Sequence, residues 1–417
     1  MIKTINKNGY NLHIIKTSKF KTVSLKLIFW NELKEDELTL RNMLTDNLLF
    51  SSSKYKDSRE MSIKRQELYS ASIFPSVYRN GTHVVTEFSL TCIEDKYTEK
   101  GNLENSIDFL FDCLNNPNVK DQAFDRKSFN ITKDHIKTAL ENEKDNPGYY
   151  SYRRYKELIG NKKILIGSIL GTIEDLEKID ETNLYEYYNQ FFSNNHIDIF
   201  VVGNVDENEI ESIISRNMKF KSTLKEYKQL NTDYEKQFSE DIEQSSFKQS
   251  RLLMGSSIKN LTDKEKRYTA IIYNIILGNS PNSKLFKSVR EKKSYAYSIS
   301  SSMNRLDGLF VISAGISSKN YEDTKDEIFK QINEMKKGNF SKKEIKNAKE
   351  LSLSILKEIN DDPYSMIEHY NNYLYNGADT IANAIKAIKS ITKEDIIKVA
   401  NKINIDTIYM LKEDENE

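Results

Sequence analysis

Two spacings of apolar residues alternate along the chain, one of about 2 residues, which is typical of strands, and one of about 3.6, which is typical of helices. In the first half they predict, in chain order, strands Asn11–Thr17 and Val23–Trp30, helices at about Glu37–Ser51 and Ser58–Ser72, strands Ser76–Tyr78 and His83–Thr91, helices around Glu104–Leu114, Asp121–Asn142 and Tyr149–Leu158, a helix capped by Thr172, strand Asp198–Val205 and helix Glu207–Met218. Because Asn80 and Gly81 tolerate positive φ, we expect a hairpin turn between strands Ser76–Tyr78 and His83–Thr91.

The same order of elements returns after a charged segment of low hydrophobicity at about residues 220–240. It predicts strand Phe247–Met254, helices Asp263–Leu277 and Ser283–Lys292, a hairpin of Tyr295–Met303 and Gly308–Ile316, and helices Asp323–Lys336, Lys342–Asn360 and Pro363–Tyr375. Each half also has an Asx-Pro step, at Pro147 and at Pro363, that ends one long helix and begins the next.

This repeated order predicts two tandem domains of similar topology, and the mixture of helices with antiparallel hairpins makes the expected class α+β. We place the N-terminal domain at residues 1–220, a linker at 221–240 and the C-terminal domain at 241–417.

The composition indicates a folded chain with a very polar surface. Hydrophobic residues make up 38% and charged residues 30%, and Lys plus Arg equals Asp plus Glu at 62 each, so no net charge draws the chain to nucleic acid or to acidic membranes. The apolar runs are too short for a signal peptide or a membrane span, which favours a cytoplasmic location. Cys92 and Cys113 fall in a strand and a helix, which favours two reduced, buried thiols over a disulfide.

Three segments resemble the pitrilysin/insulinase zinc peptidase family, including its small bacterial members. Segment Leu285–Ser298 contains the pattern Leu-Phe, then Arg-Glu-Lys, then Ala-Tyr, which is similar to the family's second domain. Weaker matches are the turn Asp145–Pro147 after an acidic helix and the strand Ile199–Val205. The resemblance covers nearly the whole chain. It implies two homologous αβ domains, each a mainly antiparallel sheet packed with helices, that together form half of a clamshell.

The resemblance also implies that the zinc site has been lost. Active members carry H-x-x-E-H on the first helix, and Met43, Asp46 and Asn47 stand at its three functional positions. Zinc needs imidazole, thiolate or carboxylate donors, so we expect no metal in this chain and a solvated Asp46. The third ligand position falls on Ala139, although a shift in register would bring Glu141 there. The five histidines are scattered, with no two of them three to five residues apart.

The other half of the family's site is present as Arg290 and Tyr297. In the family these residues lie across the chamber from the zinc helix and help to hold substrate and the oxyanion that forms on attack. Strand alternation places Tyr295, Tyr297 and Ile299 on one face, so we expect Tyr297 to share its face with core residues. The alternative is that Arg290 only sits in the last turn of a helix and that the tyrosines are packing residues.

Other aromatic residues allow two interpretations. Trp30 and the tyrosines of segment Tyr149–Tyr155 could line a peptide chamber, but packing in a core or an interface is the favoured interpretation.

These observations favour one function and leave others open. The favoured hypothesis is a subunit that is inactive alone, in a heterodimeric zinc metalloendopeptidase for peptide processing or degradation. It would supply Arg290 and Tyr297 to a homologous partner that carries H-x-x-E-H and the zinc. The alternative is a non-enzymatic module of the same fold that binds peptides or proteins or serves in assembly. An active peptidase with unusual zinc ligands is least favoured. The sequence does not identify the peptide.

Overall fold

The computed structural model describes residues 2–223, 230 and 232–413. The strands are β1 (Ile2–Lys7), β2 (Tyr10–Lys16), β3 (Thr22–Glu32), β4 (Ser72–Asn80), β5 (His83–Ile93), β6 (Val119–Lys120), β7 (Ala123–Phe124), β8 (His196–Gly203), β9 (Ser239–Gln244), β10 (Ser250–Ser257), β11 (Ala296–Asn304), β12 (Leu309–Ile316) and β13 (Thr407–Lys412). The α-helices are α1 (Leu38–Phe50), α2 (Ser58–Glu67), α3 (Asn102–Asn115), α4 (Arg126–Lys144), α5 (Pro147–Ile159), α6 (Ile173–Lys178), α7 (Glu181–Phe191), α8 (Glu207–Asn217), α9 (Ala270–Leu277), α10 (Tyr321–Lys336), α11 (Lys342–Glu358), α12 (Pro363–Tyr375), α13 (Ile381–Ser390) and α14 (Lys393–Lys402). Two π-helical segments, Glu265–Thr269 and Phe286–Lys292, lie in the second half.

The two large sheets share one topology. The first has the order β1-β2-β8-β3-β5-β4 and the second has the order β11-β12-β10-β13-β9. The two orders match if β1 is set aside and the second sheet is read from its β9 edge. In that order β2 corresponds to β9, β8 to β13, β3 to β10, β5 to β12 and β4 to β11. The one parallel pair also corresponds, since β2 runs parallel to β8 and β9 runs parallel to β13, while the other neighbours are antiparallel. The predicted α+β class and the repeated element order are therefore confirmed.

Some elements differ from the sequence prediction. Asn80 pairs with His83, so the hairpin loop consists of Gly81 and Thr82 and not of Asn80 and Gly81. Gly81 supplies the positive φ, at 60°. Eight elements were not predicted from the sequence: β1, β6, β7, β9, α7, α13, α14 and β13. Strand β9 is a charged edge strand that alternates half-buried and exposed residues, which explains why its sequence looked like a linker.

Contact clustering divides the chain into two compact units that each combine segments from both halves of the sequence. Unit 1 comprises residues 1–141, 167–229 and 359–376, and unit 2 comprises residues 142–166, 230–358 and 377–417. Helix α5 therefore belongs to unit 2 and α12 belongs to unit 1, so the two halves exchange one helix each. The predicted linker at 221–240 lies partly outside the described residues, and β9 begins within it.

In unit 1 the sheet is buried on both faces. On β3, the odd residues Leu25 and Leu27 face the larger core, which also contains residues of α1, α3 and α8. The even residues Ile28 and Trp30 face the other side, where they form a smaller cluster with residues such as Ile367 of α12. Packing of Trp30 in this cluster confirms the core interpretation of that residue.

Unit 2 repeats this arrangement with α5. Leu253 on β10 and Tyr409 on β13 form a cluster with Tyr155, which is fully buried on α5. A Cβ at Gly255 would lie 1.8 Å from the Tyr155 hydroxyl, so only glycine leaves room for that ring. This buried ring confirms that at least part of the aromatic segment serves core packing.

Both exchanged helices begin at the Asx-Pro steps that the sequence singled out. Asn146 caps α5, because its Oδ1 accepts hydrogen bonds from the backbone N–H groups of Gly148 and Tyr149. Asp362 caps α12 by accepting from the backbone N–H of Ser365. These caps fix the start of each exchanged helix, four or five residues after the chain has passed from one unit into the other.

A buried carboxylate anchors α12 in unit 1. Asp198 on β8 is fully buried, and the Tyr375 hydroxyl at the end of α12 donates to its Oδ1 at 2.9 Å. The Nε2 atoms of His13 and His196 lie 3.1 and 3.2 Å from the same carboxylate. Burial alone would raise the pKa of Asp198, but the hydrogen bonds from His13 and His196 outweigh it and hold that pKa well below its usual range.

A second carboxylate serves α5 in unit 2. Glu243 on β9 accepts hydrogen bonds from Arg154 Nε at 2.8 Å and from the Tyr409 hydroxyl at 2.9 Å, and also from the Tyr150 hydroxyl. Arg154 and Tyr150 are on α5, so this edge strand fixes the exchanged helix by charge as well as by packing.

The two cysteines are free and buried, on β5 and α3, as the sequence predicted. Burial raises the pKa of Cys92 and of Cys113 to about 12, so neither thiol is activated. None of the helices within the described ranges has the length and apolarity needed to cross a bilayer.

We expect that neither half of the sequence folds alone. A fragment of residues 1–220 lacks α12 and leaves Ile28, Trp30 and Phe200 uncovered, so it should aggregate or expose apolar surface that binds a hydrophobic dye. Co-expression with residues 221–417 should restore a complex that runs at the size of the intact chain in gel filtration. A monomeric 1–220 fragment with cooperative unfolding would contradict this role for the exchanged helices.

Substitution Asp198→Asn should lower the free energy of unfolding at pH 7 by about 3 kcal/mol, because it removes the buried charge that His13 and His196 face. Since the folded pKa of Asp198 is depressed, its contribution is present above the unfolded pKa of about 4 and is lost as the pH falls below it. The difference between wild type and variant in urea unfolding should therefore shrink from pH 7 to pH 3.

The matched control is Asp361→Asn, which removes an exposed ion pair with Lys19 and should change stability by less than about 1 kcal/mol. Equal losses in the two variants would argue against the buried network.

Candidate functional site

The first and last positions of the zinc motif serve packing in α1. Met43 is fully buried in the larger core of unit 1. Asn47 is 2% exposed, and its Nδ2 lies 3.4 Å from the Thr132 hydroxyl on α4. Residues four apart share a helix face, so both side chains are directed into the same packed region. A thioether and an engaged amide do not supply the donors that zinc requires.

Asp46, at the position of the general base, is exposed, as the sequence predicted. Protein atoms near its carboxyl nevertheless displace enough water to raise its pKa, while His135 on α4 opposes that shift. A carboxylate can act as the base in metal-assisted hydrolysis only beside a metal-bound water. Among the residues that the structure describes, Asp46 has no ligand set next to it that would hold a metal ion.

The third ligand position also lacks a donor. Ala139 is half-buried on α4, and the nearby Glu141 is exposed. Across residues 2–223, 230 and 232–413, no group of three or more His, Cys, Asp or Glu side chains has an arrangement that could hold a metal ion. The residues at the motif positions therefore do not fit zinc.

Arg290 lies in the π-helical segment Phe286–Lys292, which packs against β11. Its side chain is exposed, and its guanidinium carbon lies 4.9 Å from the centroid of the Phe286 ring. Among the described residues, no carboxylate lies within ion-pair distance of it. The segment ends where the backbone N–H of Tyr295 donates to the Val289 carbonyl at 2.9 Å. Such π-helical turns are rare and occur frequently at functional sites.

Tyr297 is 66% exposed, so the expectation that it shares a face with core residues is wrong. Ala296 pairs with Ile316 and Ser298 pairs with Gly315, which leaves Tyr297 as the extra residue of a β-bulge. The bulge reverses the alternation: Ala296 is buried before it and Ile299 is buried after it. Bulges that aim a side chain away from the ladder are common next to active sites.

A signal for this bulge exists in the sequence, on the neighbouring strand. Gly315 lies inside β12 opposite the bulge, and a Cβ there would come within 2.9 Å of the Ser298 hydroxyl. A glycine inside a strand often marks a bulge or a close approach. The prediction for Tyr297 used only the alternation of side chains along β11, so it did not take Gly315 on β12 into account.

The structure thus separates the predicted site residues into two sets. Met43, Asp46, Asn47 and Ala139 all belong to unit 1. Arg290 and Tyr297 belong to unit 2, on two elements that are consecutive in the chain and packed against each other. In the first set the two side chains at the histidine positions are buried, whereas both members of the second set reach solvent.

Comparison with known proteins agrees with this geometry. Residues 178–352 match the family model described as the peptidase M16 inactive domain. The chain is 31% identical over 414 residues to a protein of Bacillus subtilis (strain 168) named as the probable inactive metalloprotease YmfF, and the match covers 97% of this chain and 96% of that protein.

Solved structures show the same fold. A conserved protein from Enterococcus faecalis V583 superposes with a TM-score of 0.89 at 25% identity, covering 100% of this chain and 99% of that one. A chain in the structure of complex III2 from Candida albicans, with Inz-5 bound, has a TM-score of 0.72 at 14% identity and covers 99% and 96%. At that identity the likeness concerns the fold alone.

The match over nearly the full length of a relative named as a probable inactive metalloprotease confirms the resemblance that the motifs predicted. Met43 and Asn47, buried at two of the motif positions, explain in physical terms why those positions do not suit zinc. This chain belongs to the M16 peptidase family and is one of its inactive members.

Proposed function

We propose that this chain is the zinc-less subunit of a heterodimeric metalloendopeptidase, in which it supplies Arg290 and Tyr297 to a partner that carries the metal. The observation that carries the proposal is the exposure of Arg290 and Tyr297, each held at an irregularity of the backbone. A side chain that serves only packing would not need a π-helical turn or a bulge to direct it outward.

The contrast with the zinc-motif positions supports the proposal that the partner binds the metal while this chain contributes Arg290 and Tyr297. Met43 and Asn47 serve the packing of α1 against its neighbours, so these two positions offer no donors for a metal that could activate water. Arg290 and Tyr297 have no comparable structural partner among the described residues, apart from the contact of the guanidinium with the Phe286 ring.

The two groups suit one chemical task. A guanidinium and a phenol hydroxyl both donate hydrogen bonds, and both stabilise negative charge as it develops on the carbonyl oxygen of a peptide under attack. Neither group provides a nucleophile or a base here. The chain would therefore position and polarise the peptide, whereas cleavage requires the homologous partner with H-x-x-E-H and its zinc.

The proposal predicts the behaviour of a reconstituted complex. With the partner and a quenched fluorescent peptide library, Arg290→Ala and Tyr297→Phe should each lower kcat by about 10²- to 10³-fold, the usual cost of losing one oxyanion donor. The substitutions lie on an exposed surface, so complex formation in gel filtration and the Tm should be unchanged. Lys287→Ala on the same π-helical segment and Tyr373→Phe on α12 are the matched controls, since both are exposed, and they should retain full activity.

Two results would contradict the proposal of a site shared with the partner. One is full activity of the partner without this chain, and the other is full activity of both variant complexes. Either would favour the alternative, a non-enzymatic module of the same fold that binds peptides or proteins or serves in assembly.

Metal content gives a separate prediction. After incubation with zinc and dialysis, the isolated chain should retain far less than one equivalent by mass spectrometric metal analysis, because Met43, Asn47 and Ala139 offer no suitable donor. The partner, treated in the same way, should retain one equivalent and serves as the control. Stoichiometric zinc in the isolated chain would contradict the assignment of the metal to the partner.

A further inference from the structure

A buried arginine with no counter-ion among the described residues, Arg41, lies two residues before the first zinc-motif position on α1. Arg41 is 1% exposed, yet it lines a recess of about 280 Å³ in unit 1 that lies beside α1 and α7. None of the family motif positions lies in this recess. It is therefore a feature separate from the site described above.

The neighbours of the Arg41 guanidinium are neutral. Its Nη1 donates to the hydroxyl of Thr86 at 3.1 Å and to Oδ1 of Asn195 at 3.0 Å. The ring of Phe191 lies 5.1 Å from the guanidinium carbon. The buried Nε has no hydrogen-bond partner in the described part of the chain. Within the described part of the chain, no carboxylate comes within 4 Å of this cation.

This arrangement is unusual for a charged group. A buried charge is normally paired, because removing an ion from water without a partner costs several kcal/mol. An aromatic ring and neutral hydrogen-bond acceptors compensate only part of that cost. The guanidinium, which lines the recess, therefore keeps hydrogen-bonding capacity and a charge that its neighbours leave uncompensated, and an anion in the recess would compensate that charge.

The charges around the recess indicate which anion fits. Lys34 and Glu37 also line it, and they pair with each other at 2.7 Å, so their charges offset and Arg41 leaves one net positive charge. Tyr187 lines the recess as well. Loss of water raises its pKa to about 12, despite the opposing effect of Arg41, so its hydroxyl is a neutral donor at pH 7.

We propose that this recess binds a carboxylate on Arg41. One net positive charge matches a monoanion, and the flat guanidinium suits the two oxygens of a carboxylate. The volume of about 280 Å³ is small for a ligand pocket, which selects a small organic acid or the last residue of a peptide chain with a free C-terminus. The inference does not depend on the proposed peptidase partnership, since it concerns this chain alone.

The test uses the full chain and matched probes. N-acetylglycine and its uncharged analogue N-acetylglycinamide differ only at the carboxylate, and Ala-Ala-Ala with a free or an amidated C-terminus extends the pair to peptides. Calorimetric titration should give saturable binding of the acid and not of the amide, and the ¹⁵N resonance of Arg41 Nε should shift as the acid is added. Binding of both acids indicates a peptide C-terminus as a ligand, and binding of N-acetylglycine alone indicates a small acid.

Variants then assign the binding to Arg41. Arg41→Lys keeps the charge but loses the fork, and Arg41→Gln loses both, so affinity for the acid should fall by about 10- to 100-fold, the range for hydrogen bonds to a charged group. Glu37→Gln removes a competing negative charge and should tighten binding. Arg59→Gln, on the exposed face of α2, is the control and should bind like wild type.

Equal binding of acid and amide, or no saturable binding of either at millimolar concentration, would overturn the proposal, and both results come from the wild-type chain whether or not the variants fold. An unchanged affinity in Arg41→Lys would also overturn it. A lower affinity of Glu37→Gln for the acid would also contradict the proposal. It would indicate that Glu37, and not an external anion, is the ionic partner of Arg41.

Discussion

The rest of this structure depends on the helix break at each Asx-Pro step. A proline cannot continue the preceding helix, and the capping Asn146 or Asp362 fixes the start of the next one, so the chain changes direction at a defined residue. That change allows α5 and α12 to cover sheets built mainly from the other half of the sequence. Without them, the second face of each sheet would expose an apolar cluster to water.

Packing alone does not fix these helices, since each also meets a carboxylate on a strand of its sheet. In unit 1 that strand is central and the carboxylate is fully buried, with two histidines and a tyrosine around it. In unit 2 the strand is at the edge and the carboxylate is partly exposed, with an arginine and two tyrosines around it. The two duplicated units therefore use the same kind of anchor with different chemistry, buried in one case and at the surface in the other.

The sequence predicted what depends on short-range pattern. Periodicity located most helices and the hairpins, and the Asx-Pro steps located the start of α12 to the residue and that of α5 to within two residues. It did not predict the exchange of those helices, because which sheet a helix covers is decided by packing between distant segments. The strongest available signal was the nearly continuous apolar run of β8, Ile197–Val202, which indicates a strand buried on both faces and therefore a second covering layer.

The candidate site shows the same limit. The changes at Met43 and Asn47 could be read from the sequence because the absence of a donor is a property of the residue type. The orientation of Tyr297 could not, because one extra residue in β11 reverses every side chain before it relative to those after it. Arg41 escaped notice for a related reason: a lone arginine on a helix is ordinary until its burial is known.

The exchange of helices changes which positions of this chain constrain one another during sequence divergence. The residues of α12 are covered by contacts with strands of the first half, so substitutions at Met366 or Ile367 have to be compensated at positions such as Ile28 or Phe200, far away in the sequence. The two duplicated halves therefore cannot drift independently, and neither can be replaced by the corresponding half of a distant relative unless the exchanged helix is replaced with it.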